Sequence, residues 1–161
     1  QSKPVIGSAA APQLDLSFAV TSGPTGGGNV FLYASDTDFT SIGSHSFALA
    51  IGGTNSGGSG SVLARAWGGT SNTEFQISGA NLLGAALGPL TGTMYSTASS
   101  GSFAPTANPF SLTIGTQVSR TTAGTSTGDL NLQVVPVPGA WALMLAGLAM
   151  IGFIGRRQLR T

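Results

Sequence analysis

Residues 109–118, PFSLTIGTQV, decide the fold, because every second position from Phe110 to Val118 lies on one mainly apolar side. Residues 129–135, DLNLQVV, repeat this alternation and place Leu130, Leu132 and Val134 together. An apolar side chain at every second position is typical of a β-strand with one buried face. A polar loop separates the two stretches, so the sequence predicts two strands near the end of a β-domain.

Six earlier segments carry weaker strand signals and are separated by turns rich in Gly, Ser and Asn. Short strands at this spacing favour a single antiparallel β-sandwich of about eight strands over residues 1–135. Residues 81–90 are ambiguous, because a helical turn there is weakened by Gly84 and by Gly88-Pro89. The six predicted strands are residues 14–20, 30–34, 46–51, 62–67, 74–78 and 91–97.

The C-terminal 26 residues differ in character from the domain before them. Pro136, Val137 and Pro138 form a hinge, residues 139–155 contain no charged residue, and residues 156–161 follow as a basic tail. Seventeen helical residues span roughly 25 Å, slightly less than a hydrocarbon core of about 30 Å. The run therefore predicts one hydrophobic helix of the transmembrane type, with a buried core helix as the alternative.

The flanks of this helix favour the membrane. Trp141 sits near one predicted interface, and arginines close the other. A small-residue pair four positions apart offers one helix-packing contact. The arginines are Arg156, Arg157 and Arg160, and the small residues are Ala142 and Ala146.

Residues 135–148, VPVPGAWALMLAGL, followed by Arg156-Arg157, resemble the PEP-CTERM sorting signal of bacteria. In that family a Pro-Glu-Pro motif precedes one transmembrane helix and an arginine-rich end. Here Val137 stands where the family has Glu. The resemblance implies export across the inner membrane, transient anchoring and processing by an exosortase near the motif. An ordinary tail anchor is the alternative.

Charge is scarce and unevenly placed. Only 7% of residues are charged, against about a quarter in typical globular domains. Residues 1–138 carry a net charge of −2 and the tail carries +3. The basic character therefore belongs to the tail, which argues against nucleic-acid binding. The positive-inside rule places that tail in the cytoplasm and the domain outside.

Cysteine is absent, so the chain has neither a disulfide nor a thiolate metal site. The chain begins at Gln1, as expected after removal of a secretory signal peptide, and a fragment boundary would look the same.

No catalytic constellation emerges from the motifs. Gly124-Thr125-Ser126-Thr127-Gly128 matches a nucleophile elbow, but that elbow requires a strand before it, a helix after it and a later His. The only histidine, His45, precedes it and is predicted to be a polar loop residue. The acidic residues are scattered and suggest no paired-carboxylate site. The sequence therefore predicts neither an enzyme nor a cofactor.

Two binding motifs have structural alternatives. Asp36-Thr37-Asp38 has the spacing of a calcium-loop start without its continuation, and turn capping at a strand end is favoured. Tyr33, Trp67 and Tyr95 could form a sugar-stacking platform, although strand neighbours on either side favour burial.

These observations favour a structural protein of the cell surface or extracellular matrix that associates with itself, with a filament subunit as one form. Edge strands are usually blunted by Lys or other charges, and residues 4–64 contain neither Lys nor Arg. The resemblance implies an exosortase-type enzyme and the inner membrane as partners, and self-association adds further copies of the chain. The alternative is an exopolysaccharide-binding module.

Overall fold

The structure is a computed structural model that describes residue 8 and residues 11–25, 27–40 and 43–136, with Pro136 described by its backbone alone. The predicted hydrophobic helix 139–155 and the basic tail 156–161 lie outside these residues.

Eight β-strands and one short 3-10 turn make up the described chain. The turn is Gly79–Asn81. The strands are β1 Gln13–Ser22, β2 Gly28–Phe39, β3 His45–Ser56, β4 Gly60–Gly68, β5 Leu87–Leu90, β6 Met94–Phe103, β7 Phe110–Arg120 and β8 Gly124–Pro136.

The strands form two four-stranded antiparallel sheets. Sheet 1 has the order β1-β8-β3-β6, and sheet 2 has the order β2-β7-β4-β5. Every connection passes from one sheet to the other except that between β4 and β5, which are neighbours in sheet 2. This is the strand order of a double-sheet jelly roll. The predicted all-β antiparallel sandwich is confirmed.

The core is built from the two stretches that carry the clearest alternation. β7 is an inner strand of sheet 2 and β8 is an inner strand of sheet 1. Their inward apolar side chains are at most 1% exposed. A one-residue slip of either strand would turn these side chains toward solvent, so their burial fixes the register. They are Phe110, Leu112, Ile114, Val118, Leu130, Leu132 and Val134.

The strand count agrees with the prediction, although one member differs. Residues 74–78 are not a strand, and β5 comes from the ambiguous stretch 81–90. Phe75 instead has a positive φ of 56° and its N–H donates to Ser35 Oγ at 3.0 Å. The segment between β4 and β5 therefore lies against sheet 2 and is held by β2. Its short alternating pattern predicts a strand, but Gly and Asn on both sides favour a turn as much as a strand end.

Arg120 stabilises one end of the sandwich and is only 3% exposed. Its guanidinium donates to Ser126 Oγ at 2.8 Å, to Ser56 O at 3.1 Å and to Gly57 O. Among the described residues these partners are a hydroxyl and backbone carbonyls rather than a carboxylate. The side chain therefore joins the end of β3 to the start of β8 while its charge is solvated by oxygen dipoles.

Candidate functional site

The two edges of sheet 1 are long and regular. β1 and β6 each contain ten residues and pair with their neighbours β8 and β3 over ten consecutive positions without a bulge. β6 has no charged residue and no proline, and Asp15 is the single charge on β1. Within the described chain, no further strand covers the outer edge of either. Both edges therefore present unpaired backbone groups to the surroundings.

The edges of sheet 2 are different. On β2 the pairing with β7 shifts register between Asp36 and Phe39, and Asp38 has a positive φ of 65°. On the other side, β5 has only four residues and includes Pro89, which lacks an N–H. A bulge, a short strand and a proline are the usual devices that protect a sheet edge. Sheet 1 lacks all three devices, whereas on β2 the bulge follows nine regularly paired positions from Gly28 to Asp36.

Asp36-Thr37-Asp38 forms this bulge. Thr37 N–H donates to Asp36 Oδ1 at 2.9 Å, and Asp38 N–H donates to Asn72 Oδ1 at 2.8 Å. Asn72 Nδ2 in turn donates to Asp38 Oδ1 at 2.8 Å. The segment therefore caps a turn within a bulge of β2. In the described part of the chain, no group of three or more His, Asp or Glu side chains has metal-site geometry.

The outer face of sheet 1 is lined by small and polar side chains. Asp15 on β1 and Asp129 on β8 meet on this face, beside Asn131, although 114 positions separate the two carboxylates in sequence. The sequence suggests no paired-carboxylate site, and this contact is hidden in it because the contact depends on the antiparallel pairing of β1 with β8.

The Asp15 carboxyl group responds to this neighbour. Desolvation raises its pKa, and a hydrogen bond to Asp129 and the Asp129 charge raise it further. Hydrogen bonds from Asn131 and from the Leu16 backbone act in the opposite direction. Ser17 Oγ donates to Asp129 Oδ2 at 3.4 Å. Burial and the Asp129 charge therefore both disfavour the ionised form of Asp15.

Aromatic side chains gather on the outer face of sheet 2. The Tyr33 and Trp67 rings lie 6.0 Å apart at 53°, and Phe31 is 54% exposed. Gly115 lies under them, since a Cβ there would come within 2.3 Å of Tyr33 Cδ1. These aromatic side chains line a shallow depression, and Arg65 borders it.

Tyr95 does not join this cluster. It points into the sandwich from sheet 1, where its hydroxyl donates to Thr127 O at 2.7 Å and burial raises its pKa to about 12. Tyr95 is therefore not part of a sugar-stacking platform with Tyr33 and Trp67. Trp67 is only 6% exposed, so its burial reading is confirmed.

His45 is the first residue of β3 and is fully buried, so the predicted polar loop position is wrong. Its ring stacks on Phe103 at 5.4 Å and meets Phe110 edge-on at 5.9 Å. In the described part of the chain neither ring nitrogen has a hydrogen-bond partner. The side chain acts as an aromatic core residue, and the small Gly and Ser neighbours concealed this in the sequence.

The Gly124–Gly128 motif is part of β8 and is followed by more strand rather than a helix. Ser126 is fully buried, accepts from Arg120 and donates to Asn55 Oδ1 at 2.7 Å. Asn55 and His45 lie ten positions apart on β3, which corresponds to about 33 Å at the usual rise of a strand. Ser126 and His45 therefore cannot act as a nucleophile and base.

Of the predicted sorting residues, the structure places one. Pro136 is the last residue of β8, with its backbone opposite His45. No helix among the described residues has the length and hydropathy to cross a bilayer. Eight predicted residues lie outside the described part of the chain, namely Val137, Pro138, Trp141, Ala142, Ala146, Arg156, Arg157 and Arg160.

Comparison with known proteins identifies no family. No protein-family model and no curated protein matches the chain. Among solved structures, the chain is similar to the VP2 subviral particle of infectious bursal disease virus, at 13% identity and a TM-score of 0.25. The match covers 86% of this chain and 46% of that one, so the chain spans less than half the length of the viral protein. Similarity at this level says nothing about function.

The carboxylate pair predicts a measurable pH dependence. Because the Asp15 pKa is raised in the folded state, the folded protein binds this proton more tightly than the unfolded chain. We expect the contribution of Asp15 to the free energy of unfolding to decrease as the pH rises from 3.8, the ordinary pKa of an Asp side chain, through the raised pKa. Asp129→Asn should move the Asp15 pKa downward, as measured by NMR titration of the side-chain carboxyl carbon.

Asp36→Asn is the matched control, because Asp36 lies on the other sheet and should leave the Asp15 titration unchanged. An Asp15 pKa that is the same in Asp129→Asn and in the unmodified protein would contradict the coupling.

Proposed function

We propose that this chain is an exported structural protein of the bacterial cell surface or extracellular matrix, and that its copies associate through the edges of sheet 1. The observation that carries the proposal is the contrast between the two sheets. Sheet 2 has a bulged edge and a short, proline-containing edge, whereas sheet 1 ends in two regular ten-residue strands. The proposed role is not enzymatic.

Edge pairing is energetically accessible for these strands. In an antiparallel sheet, alternate residues of an edge strand point both their N–H and C=O groups outward. Each backbone hydrogen bond contributes about 0.5–1.5 kcal/mol net when it forms. With 7% charged residues and a formal net charge of +1, little repulsion opposes the approach of another copy.

The tail supports the location of this association. Its resemblance to the PEP-CTERM signal favours passage across the inner membrane, an anchored stage with the arginine-rich end in the cytoplasm, and an exosortase-type partner. Because β8 continues to Pro136, only Val137 and Pro138 separate the sheet from the predicted helix. The β-domain would therefore be held close to the membrane surface while the tail is inserted.

Exopolysaccharide binding is the second candidate, and the aromatic cluster on sheet 2 favours it. Tyr33 and Phe31 offer exposed ring surface beside Arg65. Aromatic faces and adjacent polar groups are a suitable surface for sugar rings. Trp67 contributes little directly, because it is buried. This function would use sheet 2 and is compatible with association through sheet 1.

Lysines on the β6 edge should prevent self-association. We expect the full-length protein in mild detergent to form oligomers by sedimentation velocity, and Ala98→Lys with Ser100→Lys to shift the population toward monomer, since edge lysines oppose strand pairing. Ala50→Lys with Ala48→Lys is the matched control. These two residues lie directly opposite Ala98 and Ser100 on the inner strand β3 and add the same charge.

The control pair should assemble as the unmodified protein does. Equal disruption by both pairs would contradict an edge interface and indicate association through the sheet face. Unmodified protein that stays monomeric at all concentrations would remove the proposal of self-association.

Processing of the tail should be visible in the mature protein. We expect mass spectrometry of protein recovered from the surface of an exosortase-containing host to find a C-terminus near Pro138. Val137→Glu, which restores the family motif, serves as the reference and should be processed at least as completely. A C-terminus at Thr161 in both proteins would contradict a sorting signal, and cleavage of Val137→Glu alone would show that Val137 blocks it.

Sugar binding would be detected by affinity electrophoresis in a gel that contains exopolysaccharide. We expect retardation of the protein, and its loss in Tyr33→Ala because the exposed ring is removed. Met94→Ala, an equally simple truncation of an 81% exposed side chain on sheet 1, is the control. Absence of retardation of the unmodified protein would exclude this candidate.

A further inference from the structure

We infer that the β6 edge of one copy pairs with the β1 edge of the next, so that sheet 1 continues from copy to copy in a head-to-tail filament. The inference rests on the proposed self-association and adds its partner strands, direction and register.

Strand direction allows this pairing. All neighbours in sheet 1 are antiparallel, and the sheet contains four strands, so its two outer strands run in opposite directions. A second copy placed beside the first in the same orientation therefore presents its β1 antiparallel to β6. The alternation of strand directions continues across the junction without a break.

The two edges also match in length and accessibility. Both strands have ten residues and neither contains a proline. Beside β6, the neighbouring edge of sheet 2 is the four-residue β5, which covers less than half of that length. No described strand covers the backbone edge of β6, although Gly84, in the segment before β5, lies near its inward-facing Ser99.

Charge favours a β1–β6 junction over a β1–β1 junction. Asp15 on β1 already shares the outer face with Asp129, whose charge raises the Asp15 pKa. Pairing two β1 strands would bring a second pair of this kind to the same face across one junction. The β6 strand has no charged residue, so it adds no repulsion.

The two faces of the sheet restrict the register. On β1 the core-facing residues have even numbers, such as Leu14 and Phe18, and on β6 they have odd numbers, such as Tyr95. A flush pairing of Gln13 with Phe103 would put core-facing and outward residues opposite each other along the whole junction. The strands must therefore slip by an odd number of positions, and the smallest slip, by one in either direction, places Ser17 opposite Ala98 or Ser100.

Such an interface uses different surfaces on its two sides and does not close on itself. Four strands at about 4.8 Å give a rise of roughly 19 Å per copy. A twist of about 20–25° per strand gives roughly 80–100° per copy, hence about four copies per turn. The strands lie across the filament axis.

Disulfide trapping can test this arrangement cleanly, because the chain has no cysteine. Two double variants represent the two registers, Ser17→Cys with Ala98→Cys and Ser17→Cys with Ser100→Cys. Within one copy the edges are separated by three strand spacings, about 14 Å, which is beyond disulfide reach. After mild oxidation of full-length protein in detergent, we expect one double variant to give a ladder of multimers on a denaturing, non-reducing gel.

The controls distinguish the possible geometries. Each single variant should stay monomeric, and a mixture of complementary single variants should stop at dimers. Ser17→Cys with Ser99→Cys, which places one thiol outward and one inward, should give no ladder.

Dimers from a single variant would overturn the head-to-tail junction and indicate like-with-like edge pairing, with self-association intact. Absence of cross-links in both double variants, while sedimentation still detects oligomers of unmodified protein, would also overturn it. If the unmodified protein is monomeric as well, the proposed function fails together with the inference.

Discussion

The fold depends on burying the inner faces of β7 and β8, one inner strand from each sheet. Leu112, Ile114, Leu130 and Leu132 are completely buried there. Because side chains alternate along a strand, this burial determines which residues of each strand face outward. It therefore also determines the composition of both outer faces and the positions available at both sheet edges. The candidate surfaces follow from a constraint in the interior.

Sequence periodicity was sufficient to predict the fold class and most strands, because it reports directly on one-sided burial. It could not predict contacts that depend on strand order. Asp15 and Asp129 are distant in sequence and meet only because β1 pairs with β8. His45 was misassigned for a related reason, since its neighbours are small and polar while its ring packs against Phe103 and Phe110 from other strands. Edge protection was also hidden, since the sequence does not identify the edge strands.

Because charged residues are scarce, the polar groups of the domain are paired mainly with uncharged hydrogen-bonding partners. Arg120 is buried against a hydroxyl and backbone carbonyls, and Ser126 links it onward to Asn55. Threonine pairs lie across neighbouring strands, such as Thr54 with Thr127 at 2.8 Å. Such short hydroxyl contacts contribute modestly. Because these hydroxyl groups are uncharged, the sheet surface is almost neutral. Little long-range electrostatic force therefore orients an approaching molecule.

The exit of the chain through Pro136 has a mechanical consequence. β8 is flanked on both sides by β1 and β3, and its final residue is still paired with His45. A load applied along the strand at this end would pull β8 lengthwise between two neighbours. The hydrogen bonds would then carry the load together in shear, whereas a strand peeled from an edge loses them one after another. The domain is thus joined to the predicted tail through an inner strand, which resists such a load better than an edge strand would.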